Sequence, residues 1–264
     1  MSINTIIFDL DDTLLWDKKS VKTAFEKTCD YAATVHNVNP AELEEAVRRE
    51  ARALYEGYET YDYTVLIGIN PFEGLWGGTF DDSTDSFQKM KEIVPSYRAA
   101  AWTKGLAALG IEDTAFGAEL GERFVAERKV APFLYEDTFA VLDELKGKYQ
   151  LVLLTNGAPS LQNLKLEITP EIAPYFDHII ISGDFGKGKP DASIFEYVME
   201  KAGITADEAI MVGDNLNTDI LGSSRVGMRN VWINRESNIA NGGAVTPTYE
   251  VDSLTALLEL VNRL

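Results

Sequence analysis

Five short apolar runs constrain this chain more than any other feature. They occupy residues 5–8, 150–154, 178–181, 209–212 and 229–233, are rich in Ile, Val and Leu, and are each too short to form a helix. Each is followed by Asp, Thr, Ser, Gly or Asn, residue types suited to the step from strand to loop. Apolar runs without alternation are expected of strands covered on both faces, which implies a parallel sheet flanked by helices. A weaker run at 248–251 would add a sixth strand. Helical spacing at 136–148, 159–166, 192–202, 217–226 and 253–263 fills the gaps, so strand and helix alternate from about residue 136 onward. Asp191 reads as the N-cap of the helix over 192–202 and Gly203 as its C-terminal glycine.

The alternation fails after the first run. Between residues 17 and 132 the one β-type run is Val65-Leu66-Ile67, whereas 20–36, 40–58, 83–109 and 114–129 carry helical spacing. The third of these is expected to break at Pro95. Phe25, Leu43, Val47, Leu54, Ile93, Tyr97, Leu106 and Phe124 are its expected buried positions. An insert of about 115 residues is far longer than a loop and lacks the Gly/Ser or charge bias of a linker. The expected division is an α/β core from 1–16 and 133–264, and an all-helical cap domain from 17–132.

Charge narrows the partners. Lys and Arg number 24 against 42 Asp and Glu, a formal charge of −18, which opposes binding to nucleic acid or an anionic membrane. A small phosphorylated ligand is compatible, because exposed charges are screened beyond about 8 Å. No apolar run approaches the roughly 20 residues needed to span a bilayer, and the start of the chain lacks a basic, then apolar, leader pattern. A cytoplasmic protein, monomer or homodimer, is expected. The single cysteine, Cys29, reads as a small apolar packing residue.

Four strand ends carry polar chemistry, where open parallel sheets bind ligands. The first is Phe8-Asp9-Leu10-Asp11-Asp12-Thr13-Leu14; alone, such acids equally suit a turn or a helix cap. The second, Thr155-Asn156-Gly157, offers a hydroxyl, an amide and a flexible backbone that can face an anion or form a plain turn. The third, Ser182 through Asp191, has Lys187 and Lys189 in a glycine-rich loop. Either could reach a phosphate, and Pro190 restricts the backbone at Lys189. The fourth, Gly213-Asp214-Asn215 with Asp219, places one acid at a strand end and another at a helix start, where a helix N-terminal charge is the plainer reading for either alone. Acids, hydroxyl and amide, lysine, acids: their order is more telling than any one of them.

These motifs resemble the haloacid dehalogenase-like superfamily, in the phosphatase branch whose helical cap follows the first motif. The stretch Val212-Gly213-Asp214-Asn215 through Thr218-Asp219-Ile220-Leu221-Gly222, followed by Val231-Trp232-Ile233-Asn234, further resembles the N-acylneuraminate-9-phosphatase and pyrimidine 5′-nucleotidase-like subgroup. The resemblance spans residues 8–219 and matches the cap in position and helical character alone. It implies a Rossmann-like doubly wound parallel sheet and a phosphomonoester hydrolase of a small phosphorylated metabolite, a nucleotide or sugar phosphate. By the same resemblance Asp9 is the nucleophile, Asp11 the general acid and then base, and Lys189 stabilises the nucleophile and transferring group. The Thr155 hydroxyl and the Asn156 backbone amide would hold phosphate. Mg²⁺ would be held by Asp9, the Asp11 backbone carbonyl and Asp214, with Gly157 supporting the loop and Asp219 orienting Lys189 or a metal-bound water. Three carboxylates against a dication and an ammonium leave a neutral pocket for a phosphate dianion. A phosphosugar mutase of the same superfamily, or a noncatalytic receiver-like module, are the alternatives.

Other conspicuous residues point elsewhere. His36 lies in the insert and His178 opens a strand at the end opposite the motifs, so both read as structural. The run Gly68 to Gly78 lacks the Gly-Lys-Ser/Thr of a phosphate loop. Tyr55, Tyr58, Tyr61 and Tyr63 read as core, Phe72 or Trp76 as candidates to line a substrate entrance, and Arg48 and Arg52 as a solvated face.

Overall fold

A computed structural model describes residues 2–77, 79–80, 82–237 and 245–264; Gly78 of the glycine-rich run therefore lies outside the described residues. The strands are β1 (Thr5–Phe8), β2 (Gln150–Thr155), β3 (His178–Ile181), β4 (Ala209–Gly213), β5 (Arg229–Ile233) and β6 (Tyr249–Val251). The helices in chain order are α1 (Asp17–Val35), α2 (Pro40–Glu56), α3 (Tyr61–Ile67), α4 (Pro71–Trp76), α5 (Asp85–Ala108), α6 (Thr114–Lys129), α7 (Thr138–Leu145), α8 (Pro159–Ile168), α9 (Ser182–Phe185), α10 (Ala192–Ala202), α11 (Leu221–Arg225) and α12 (Leu254–Val261).

The chain forms two compact units. The first comprises residues Met1–Asp17, Leu134–Gly157 and Thr169–Leu264. Its six strands are all parallel in the order β3-β2-β1-β4-β5-β6, the arrangement of a Rossmann-like sheet. β1 and β4 are buried at every position, as their unbroken apolar runs require, and Ile7, Val152, Leu154, Met211, Ile194, Phe195 and Val198 share a core on one side. Register pairs Phe8 with both Leu153 and Val212, so the chain leaves β1, β2 and β4 at one edge. The helix expected over 217–226 begins instead as a π-helical turn at Leu216–Ile220 before α11. Asp191 caps α10 through the Ser193 N–H, and Gly203 ends it in the left-handed conformation.

The second unit comprises Lys18–Phe133 together with Ala158–Ile168. The division expected from sequence places α8 in the core by its position after β2; by its contacts α8 clusters with the helices. It does so because Leu161 and Ala158 join a core built from Phe25, Val47, Trp76, Phe80, Tyr97, Trp102 and Phe124. Cys29 is buried within it, and burial pushes its thiol up, away from the reactive thiolate. Val65-Leu66-Ile67, read as β-type, forms the end of α3, closed by the left-handed Gly68. β-branched preference is weak next to a helix whose Thr64 and Ile67 are buried.

α5 also differs from expectation, running unbroken through Pro95. Pro95 is exposed, so the carbonyl it leaves unbonded can be hydrated, while Phe87, Met90, Val94, Tyr97 and Ala101 bury a continuous stripe on the other side. Packing along that stripe outweighs the lost hydrogen bond. No helix of the described residues is long and apolar enough to cross a membrane.

Candidate active site

Asp9 is the first residue past β1 and its N–H donates to the Val212 carbonyl of β4 at 2.9 Å, which fixes it between the two strand ends. Asp12 adopts φ 58°, a left-handed turn that Asp tolerates better than most residues, so the chain bends sharply after Asp11. From the far side of the sheet order comes Lys189. Its Nζ donates to Asp9 Oδ1 at 2.6 Å and to the Leu154 carbonyl of β2 at 2.8 Å, and it pairs with Asp219 Oδ1 at 2.8 Å. The side chains of Lys189 and Asp219 are 2% and 1% exposed, a fully desolvated pair.

Asp219 is fixed from behind. Its Oδ2 accepts the Asn215 N–H at 3.1 Å, and Gly213 leaves it room: a Cβ there would lie 2.2 Å from that oxygen. Trp232 Nε1 donates to the Asp214 carbonyl at 2.8 Å, tying β5 to the fourth motif. Carboxylate oxygens of Asp9, Asp214 and Asp219 all lie within 4.8 Å of one another.

The electrostatics follow from this crowding. Burial pushes the Asp9 carboxyl well above the carboxylate range; Lys189 pulls it back, and Asp219, Asp214 and Asp11 push it further up. Burial works against the Lys189 charge too, yet the Asp219 and Asp9 carboxylates outweigh it and hold the ammonium above the usual lysine range. Two carboxylates thus grip one ammonium, and the charges of Asp214 and Asp11 also bear on Asp9. A cluster of carboxylate oxygens from Asp9, Asp214 and Asp219 fits a hard divalent cation, which would offset the like charge pressing on Asp9.

The second motif is anchored by its neighbours. Thr155, fully buried, ends β2. Gly157 takes φ 143°, a conformation side chains disfavour, and its N–H donates to Ser182 Oγ at 2.9 Å. The Asn156 side chain turns toward the third motif: its Nδ2 donates to the Lys189 carbonyl at 2.9 Å and its Oδ1 accepts the Lys189 N–H at 2.8 Å. Sequence reasoning assigned no role to Ser182 or the Leu154 carbonyl, and it did not connect the Asn156 side chain with Lys189. Ser182 and Asn156 were visible as polar residues at strand ends, but nothing in the sequence marks who pairs with whom across 25 or 33 residues.

Residues outside the cluster are equally definite. Lys187 is half exposed and pairs with Asp191 at 3.5 Å. His178 opens β3, and His36 meets Asp113 at 3.3 Å. In the helical unit Trp76 is 1% exposed beneath the Arg128 guanidinium, so it lines no entrance. Phe72 is partly buried with Arg48 and Arg52 stacked on it, which corrects the view of those arginines as merely solvated.

Comparison with known proteins shows the family. The family model for haloacid dehalogenase-like hydrolases matches residues 3–227. The chain is 33% identical over 232 residues to phosphoserine phosphatase of Thermus thermophilus, covering 87% of this chain and 88% of that protein. It is 31% identical over 198 residues to human N-acylneuraminate-9-phosphatase, covering 68% and 75% of the two. In three dimensions it resembles the HAD-hydrolase YfnB of Bacillus subtilis, with a TM-score of 0.65 at 23% identity over 99% of this chain and 100% of that one. The chain belongs to the haloacid dehalogenase-like hydrolase family, and it is an enzyme grouped by sequence with that family's phosphatases.

Proposed function

We propose that the protein is a Mg²⁺-dependent phosphomonoesterase acting on a small phosphorylated metabolite through an aspartyl-phosphate intermediate. The observation that carries this reading is the buried Lys189 ammonium bridging Asp9 and Asp219 inside a carboxylate cluster at the carboxyl ends of the strands. An Asp9 oxygen attacks phosphorus in line as the ester P–O bond breaks, and Asp11 gives its proton to the departing alkoxide. Asp11 then takes a proton from water, whose oxygen attacks the same phosphorus and releases phosphate with the Asp9 carboxylate restored. Lys189 holds Asp9 in place and faces the transferring group with positive charge, while Thr155 Oγ and the Asn156 N–H hold phosphoryl oxygens, with Gly157 shaping that loop.

Mg²⁺ would be held by the Asp9 and Asp214 carboxylates and the Asp11 carbonyl, and it would offset the charge of a phosphate dianion that the acids alone would repel. Asp219 serves by fixing Lys189. Names of the relatives suggest phosphoserine and acylneuraminate 9-phosphate as the first members of a substrate panel.

The test is hydrolysis of p-nitrophenyl phosphate with and without Mg²⁺. Turnover is expected to vanish in EDTA, to return with Mg²⁺, and to be absent in Asp9→Asn. Full activity in EDTA, or in Asp9→Asn, would defeat the proposal.

A further inference from the structure

Lys189 is held at both ends, and the two ends are held by different means. The ammonium is gripped by Asp9, Asp219 and the Leu154 carbonyl. The backbone is gripped by one side chain, that of Asn156, which accepts from the Lys189 N–H at 2.8 Å and donates to the Lys189 carbonyl at 2.9 Å. A primary amide is the side-chain group that presents a donor and an acceptor side by side, as a neighbouring strand would. Asn156 therefore pairs with residue 189 much as a strand pairs with its partner, although the two lie 33 positions apart and neither is in a strand.

A second feature serves the same pairing. Gly188 lies against the Asn156 amide so closely that a Cβ would sit 2.8 Å from Oδ1 and 2.9 Å from Cγ and Nδ2. The glycine is needed for space. On the other side Arg225 donates to the Pro190 carbonyl at 2.7 Å, and Gly222 lets Phe195 and Pro190 approach where a Cβ would lie 2.3 Å from the ring and 3.0 Å from Pro190 Cα.

We infer that the Asn156 side chain, seated against Gly188, is a positioning residue that sets the Lys189 backbone so that its ammonium reaches Asp9. This inference extends the phosphatase reading and rests on it for its kinetic consequence. It gives Asn156 two separable duties: in the phosphatase reading its backbone N–H holds the phosphoryl group, while its side chain bonds the Lys189 backbone and places the lysine. A long side chain such as lysine adapts its rotamers to small shifts, but an ammonium that must meet three acceptors at once has little freedom left. Displacing its backbone loosens that set.

The test compares Asn156→Ala, Asn156→Asp and Gly188→Ala with the wild type in saturating Mg²⁺, by steady-state kinetics on p-nitrophenyl phosphate and by amide hydrogen exchange followed by NMR. Asn156→Ala is expected to lower kcat roughly 10- to 100-fold, with KM altered less than about threefold, since misplacing a supporting group usually has that size of effect. The Lys189 amide should exchange at least about tenfold faster, in step with the loss of its acceptor, while the Ser193 amide, bonded to Asp191, keeps its rate. Asn156→Asp keeps the acceptor and should restore protection of the Lys189 amide. Gly188→Ala leaves residue 156 intact and should reproduce the fall in kcat by pushing the amide away. Unchanged exchange at Lys189 in Asn156→Ala overturns the inference, as does a raised KM with unchanged kcat, which would make the side chain a substrate contact. Were the wild type itself inactive towards phosphomonoesters, the phosphatase reading would fall while the exchange measurements still decided whether Asn156 sets Lys189.

Discussion

Lys165 and Lys189 are buried as deeply as the leucines of the core, and they are buried in different settings. Lys165, on α8 in the helical unit, meets Glu73 at 3.0 Å with side chains 1% and 6% exposed. Glu73 uses its other oxygen to accept the Asn70 N–H, closing the capping box at the start of α4. That acid is part of a helix end, and the ion pair joins α8 to it. Lys189, in the sheet unit, meets two acids, Asp9 and Asp219, which belong to a cluster that also holds Asp214. A fold needs no surplus of carboxylates around a buried ammonium, because each added acid must be desolvated against its neighbours' charge. The pairing at Lys165 is explained by architecture. The excess at Lys189 is what the proposed phosphoryl transfer calls for.

Substitution should separate the two most sharply. Lys189→Met is expected to lower turnover by about 10²–10³-fold or more, since in the proposed mechanism it removes the ammonium that faces developing charge. Lys187→Ala, two residues away but half exposed, is expected to stay within about threefold of the wild type. Lys165→Met should leave the rate per folded molecule within about threefold while destabilising the protein by roughly 3–5 kcal/mol, because it breaks a buried ion pair by removing one partner. Adding Glu73→Gln, which keeps the cap to Asn70, should recover most of that loss. Initial rates and urea unfolding of the four variants decide the matter. Loss of turnover in folded Lys165→Met would erase the distinction between the two lysines.

A smaller effect is expected from Gly213→Ala. Its Cβ would lie 2.2 Å from Asp219 Oδ2, so the carboxylate must leave the Asn215 N–H or Lys189. Turnover should fall roughly 10- to 100-fold, the range for displacing a group that orients a catalytic one. The corresponding crowding in the helical unit, Gly105→Ala against Val47 at 2.4 Å, should lower stability and leave kcat unchanged in the folded fraction. Equal kinetic losses at both glycines would show that crowding acts through general loosening.

How far the sequence revealed these regions depended on how locally each was encoded. The strand runs and the motif residues after them are contiguous, and their polar ends were legible because a parallel sheet gathers strand ends at one edge. That Asp9 and Asp219 would serve Lys189 came from the family resemblance and from no local pattern, since Asp9 stands 180 residues from it, and the tie between Asn156 and Lys189 was not legible at all. The helical unit was legible as helices but not in detail. Val65-Leu66-Ile67 followed its neighbours into α3, Pro95 was carried through by a buried stripe, and α8 joined helices far from it in sequence through Leu161 and Lys165. In each case a long-range contact overrode a local preference.

A partly exposed acid should mark the lower bound of the comparison. Asp191 caps α10, accepting from the Ser193 hydroxyl at 2.6 Å and the Ser193 N–H at 2.9 Å, and these bonds, the hydroxyl foremost, hold its carboxyl below the usual range. A carboxyl whose folded pKa is depressed contributes stability above its unfolded pKa, near 3.8, and loses that contribution as pH falls through the lower folded value. Asp191→Asn keeps a good N-cap but cannot titrate. At pH 6 the wild type should therefore exceed Asp191→Asn by no more than about 1 kcal/mol, because the site is over a third exposed and screened, and the difference should shrink as pH falls below about 4. Urea unfolding of both proteins at pH 6 and pH 3 measures it. A gap that widened at low pH would mean that the carboxylate is stabilised less in the folded protein than in the unfolded chain, contrary to its two bonds to Ser193.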